Sequence, residues 1–160
     1  MNYIKFNDVF KANKELDEMF NTSFPDSEMV KKNKLELLVE IGEFANETKC
    51  FKYWSSKKPE KEKVLEELSD CFIMCLSFFN YLNMKIDIKN DFNKEDIISS
   101  FFKLYELGTS FAKNEREETI REIFNNLLNI GYCLGFNNEE MISSCLKKIN
   151  TNRNRIKEGY

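Results

Sequence analysis

The sequence predicts an all-α fold, a helical bundle organised around a central antiparallel helix pair that carries a metal site. Apolar residues recur at spacings of three and four along most of the chain, and the period-two alternation that marks strands is absent. Glycine and proline are scarce, with five and two in 160 residues, so few breakers interrupt the helices.

Taken in order, apolar residues from Ile4 and Val9 to Met19 predict a first helix over residues 3–20, with Asn13, Leu16, Asp17 and Phe20 sharing a side. Residues 21–27 read as a loop from which Asp26 or Ser27 caps the next helix. That second helix is expected over residues 28–49. Its stripe Glu36, Glu40, Glu43 and Glu47 lies opposite Leu37, Leu38, Ile41, Phe44 and Ala45.

Pro59 and neighbouring lysines break regular structure before a third helix over residues 60–82. The short connection makes helices two and three antiparallel neighbours. A polar link at 85–93 precedes a fourth helix over 94–113 and a fifth over 115–134, for which Asn114 with Glu117 suggests a capping box. Gly135 ends the fifth helix, Asn137 with Glu140 offers a second box, and a sixth helix runs toward the C-terminus.

Composition narrows the function. A chain 42% hydrophobic and 32% charged suits one domain over residues 1–160. A net charge of -3 leaves no electrostatic footprint for direct nucleic-acid binding. Five cysteines without a CxxC pair read as reduced core thiols. The longest apolar run, residues 71–79, is too short to span a bilayer, and no signal peptide is recognised, so a cytoplasmic protein without membrane association is expected.

The acidic stripe of helix two alone fits a solvated face. Helix three changes the balance, because Glu67 and Asp70 continue along their side into Cys71, Ile73, Met74 and Ser77 on a helix apolar all round. Carboxylates near a core need protons, cations or a metal. Four of them, Glu40, Glu43, Glu67 and Asp70, point to a hard divalent cation, magnesium. The chain has no histidine, which argues against a typical zinc site and leaves Glu40 or Glu43 as the catalytic base.

Two further groups are candidates for the substrate. Lys148, Asn152 and Arg155 step by four and three along one face of the last helix and together suit a polyphosphate, with Arg155 forking two oxygens. Phe51, Tyr53 and Trp54, with Lys49, Lys52, Lys57 and Lys58, form either an aromatic closure of the helix pair or a wall beside an anionic ligand.

The run ELLVEIGEFANETKCFKYWS, the later LEELSDCFIMCLSF and the C-terminal KxxxNxxRxxxGY together resemble the dimeric all-α dUTPases, which belong with the MazG-like nucleoside triphosphate pyrophosphohydrolases. The resemblance implies a homodimer that hydrolyses dUTP to dUMP and pyrophosphate with magnesium. It matches Glu40, Glu43, Glu67 and Asp70 to the metal ligands, and Lys148, Asn152, Arg155 and Tyr160 to the substrate-binding motif. It also places Asn13 where the family carries a base-reading glutamine, a departure that bears on base choice more than on catalysis. The alternatives are a related pyrophosphohydrolase acting on dCTP or non-standard nucleotides, and a helical interaction protein without activity.

Overall fold

The computed structural model describes residues 2–23, 28–88 and 92–159, which form six α-helices and, among the described residues, no strand. They are α1 (Asn2–Ser23), α2 (Met29–Thr48), α3 (Lys61–Tyr81), α4 (Ile97–Lys113), α5 (Glu117–Cys133) and α6 (Asn138–Lys157).

Helix α3 is the centre, and α1, α2, α5 and α6 pack against it. From Leu68 to Phe79 its side chains are buried except at Asp70 and Ser77, which line the site described below. Phenylalanines fill the space around it. Phe6 of α1, Phe72 of α3 and Phe124 of α5 meet with ring centroids 5.1–5.8 Å apart, and Phe79 joins Phe124 at 5.6 Å. Offset and edge-on packing of this kind adds about 0.5–1.5 kcal/mol per pair beyond area burial. Helix α2 buries Leu37, Ile41 and Phe44, the apolar side read from its periodicity.

Helix ends follow their caps. Gly135 adopts φ 90°, and the Phe136 and Gly135 amides donate to the Gly131 and Tyr132 carbonyls, closing α5 as the glycine anticipates. Asn137 and Glu140 form the expected capping box of α6. The box expected from Asn114 and Glu117 does not form. Asn114 is extended and terminates α4 through its amide bond to Ser110, so α5 begins two residues later behind Arg116, without a side-chain cap. Helix α4 starts three residues later than its apolar pattern implies, because the Asp96 carboxylate accepts the Ser99 amide at 3.1 Å and sets the first turn there. Asp26 and Ser27, the expected caps of α2, lie outside the described residues, and Glu28 holds the cap position without a side-chain cap bond.

Cys71, Cys75 and Cys145 are buried free thiols as expected, whereas Cys50 and Cys133 are only half-buried because they sit at helix ends. No described helix is long and apolar enough to cross a membrane.

Candidate active site

The packing of α2 on α3 brings the two acidic pairs into one cleft of about 980 Å³, whose walls also come from α1 and α6. Carboxylate oxygens of Glu40, Glu67 and Asp70 lie within 4.8 Å of one another. Glu43 lines the same cleft and hydrogen-bonds Glu40, but it stands outside this tight trio and is exposed.

Burial and mutual repulsion raise the carboxyls of Glu40, Glu67 and Asp70 above their ordinary values. The Glu40 carboxyl is pushed up to about 8, first by burial and then by the charges of Asp70 and Glu43. Glu67 is raised to about 7 for the same reasons, burial leading. Asp70 is also raised, chiefly by burial, against the pull of Lys148. Buried oxygens of Glu40 and Glu67, one on each, have no hydrogen-bond partner. Orphaned hard oxygens and converging like charge are what a divalent oxygen-seeking cation satisfies, so the residues fit such an ion.

Lys148 enters from α6. Its ammonium lies 2.9 Å from Asp70 Oδ2 and 3.2 Å from Glu66 Oε1, and these carboxylates raise its affinity for the proton in spite of its burial. Asn152 and Arg155 follow on the same face and line the cleft, as their four-and-three spacing anticipates. Glu66 lies one turn before Asp70 on the same side of α3, so one ammonium meets both carboxylates.

At the α1 side, Asn13 is wholly buried and donates its amide to the Ile73 carbonyl at 3.3 Å and to Ser77 Oγ at 3.0 Å. Ser77 in turn donates to Asp17 Oδ1 at 2.8 Å. Asn13 therefore reaches the cleft, together with Asp17, Ser77, Asn80 and Glu36, none of which was singled out as a site residue. Helical spacing carried the signal for Asp17, which shares Asn13's face one turn on.

Two expected substrate residues are not brought to the cleft. Trp54 is 64% exposed and stacks edge-on with Tyr53 and Phe51 at 5.1 and 6.0 Å, while Lys52 lies over the Phe51 ring at 5.9 Å. The left-handed Lys49 that ends α2 sends this segment into its own aromatic cluster. Tyr160 lies outside the described residues.

No curated protein matches the chain. A family model described as dUTPase matches residues 5–160, which spans both acidic pairs and the α6 face.

Proposed function

The chain belongs to the dUTPase family and is a dUTP diphosphatase, and on that premise we propose that it works with magnesium held by Glu40, Glu43, Glu67 and Asp70. The observation that carries the metal reading is the cluster of carboxylates from α2 and α3 with unpartnered oxygens on Glu40 and Glu67. Bound there, magnesium supplies positive charge to the triphosphate and acidifies water.

The chain's own groups do the rest. Lys148 and Arg155 line the cleft beside the carboxylates, where they neutralise phosphate charge as the bond to the leaving dUMP breaks. Asn152 shares their face and orients the sugar or a phosphate oxygen. The base is Glu40 or Glu43, the two α2 carboxylates that line the cleft and bond each other. Asn13 sits at the α1 side, where the base is read.

The working form is a homodimer. Ile98, Phe102 and Tyr105 recur on one exposed face of α4, next to exposed Leu35 and Val39 of α2. Tyr105 joins the two, since its hydroxyl lies where a Cβ on Gly42 would come within 2.8 Å. A continuous apolar face of this kind fits the same face of a second copy. A cytoplasmic location completes the reading and is supported by the lack of any described membrane-spanning helix.

The test is pyrophosphate release from dUTP, dCTP, dTTP and UTP with magnesium titrated against chelator. Preferential, magnesium-dependent release from dUTP is expected. Full activity in chelator would remove the metal from the reading. Equal rates on all four nucleotides would move the protein to a broader pyrophosphohydrolase role.

A further inference from the structure

Glu66 shares a side of α3 with Asp70 but, unlike it, does not line the active-site cleft. It lines a neighbouring groove of about 370 Å³ between α3 and α6, and among the described residues only Lys148 lines both spaces. The two helices are pinned at this level. The hydroxyls of Ser69 and Ser144 lie 2.8 Å apart and both reach the Leu65 carbonyl, at 2.8 and 3.1 Å. Ser144 stands one turn before Lys148, so this clamp fixes the height at which the ammonium enters, 3.2 Å from Glu66 Oε1 and 2.9 Å from Asp70 Oδ2.

We propose that Glu66 is a positioning residue, which takes up the Lys148 ammonium when Asp70 turns to the metal and so keeps this cation at the edge of the cleft, within reach of the triphosphate. The proposal rests on the magnesium-dependent dUTPase reading of the cleft and deepens it. In the metal-free protein one ammonium serves two carboxylates. A divalent cation on Asp70 competes for one of them and repels the ammonium. Lys148 then keeps Glu66, on the groove side.

Without Glu66 neither position left to the ammonium serves the reaction. A lysine stem is flexible and its head is strongly hydrated. The ammonium would either stay on Asp70, where it opposes the metal, or swing through the groove into water, where it is lost to the phosphates. Glu66 suits the role because its side chain is 58% exposed while that of Lys148 is 15% exposed. A carboxylate so exposed holds the ammonium loosely enough for a phosphate to compete.

The experiment is a double-mutant cycle over Glu66→Ala and Lys148→Met. It is read as magnesium affinity by calorimetry without nucleotide, and as kcat and KM for dUTP at saturating magnesium. In the wild-type background Glu66→Ala is expected to weaken magnesium binding and to lower kcat, each about fivefold, the weight of a partly exposed ion pair. KM is expected to stay within about twofold, because Lys148 meets charge that grows as the bond breaks. In the Lys148→Met background Glu66→Ala is expected to change neither quantity, since Glu66 acts only through the ammonium. A Glu66→Ala protein that matches the wild type in either measurement overturns the proposal, even where its melting temperature falls, because a merely structural pair shifts stability alone. Losses of equal size with and without Lys148, or a loss of activity confined to KM, overturn it as well while leaving dUTP hydrolysis intact. Absence of magnesium-dependent dUTP turnover by the wild type overturns both the proposal and the reading beneath it.

Discussion

Lys148 of α6 places its ammonium 2.9 Å from Asp70 Oδ2 of α3, so the cation that suits a phosphate is stored on a carboxylate that suits a metal. The pair is half-buried, and each charge lowers the cost of burying the other. Binding a metal and a triphosphate together would exchange partners without leaving either charge bare. Lys148→Met removes the cation while keeping the stem. Its expected effect is a loss of about 10–100-fold in kcat/KM for dUTP, the range of a charged hydrogen bond, measured by steady-state pyrophosphate release.

Glu43 lines the cleft and bonds Glu40, yet it is exposed, so the core does not depend on its charge. Glu43→Gln should therefore lower kcat by about 10²-fold or more while leaving the helical circular dichroism and melting temperature near those of the wild type. Near-normal turnover in this variant would remove Glu43 from the site.

Stability should depend on pH in a direction opposite to that of a salt-bridged protein. Glu40 and Glu67 hold their protons up to about 8 and about 7 when folded, above their ordinary value of 4.5, so the folded state binds more protons than the unfolded one between these limits. Their protonated forms are compatible with burial. That compatibility is complete below pH 4.5 and is lost as pH rises through 7 and 8. The chelated protein should thus lose melting temperature between pH 5 and pH 8, by on the order of 5 °C, and magnesium should restore it. Differential scanning fluorimetry with chelator and with magnesium measures both limbs.

Phe102 is 72% exposed at the middle of the apolar face shared by α2 and α4. Phe102→Glu places a charge there without touching the core or the cleft. It should shift the protein from dimer to monomer in sedimentation velocity. A wild type that already sediments as a monomer would contradict the dimer.

Much of this was legible in the sequence because helix periodicity is a local signal. The apolar side of α2, the burial of α3 beyond Asp70 and the single face of Lys148, Asn152 and Arg155 all follow from 3.6 residues per turn. What failed depended on competition between caps or on contacts far apart in the chain. Asn114 can open α5 or end α4 and does the latter, while the start of α4 is set by the Asp96 cap and not by apolar periodicity. Trp54 and Lys52 lie with Phe51 and Tyr53 in an aromatic cluster apart from the cleft lining, and the sequence alone leaves open both that cluster and a wall beside a ligand. The Asn13, Ser77 and Asp17 chain links residues 60 or more apart in sequence, and only the packing of α1 on α3 brings them together.

The most direct measurement is a calorimetric titration of magnesium into the wild type and into Glu67→Gln, each with a non-hydrolysable dUTP analogue bound. Glu67 belongs to the tight carboxylate trio and owns one of its orphaned oxygens. Saturable binding by the wild type and a loss of at least about tenfold in affinity in the variant, the weight of roughly 1.4 kcal/mol, is the expected result. Equal magnesium binding by the two proteins would contradict the assignment of the metal to this cleft.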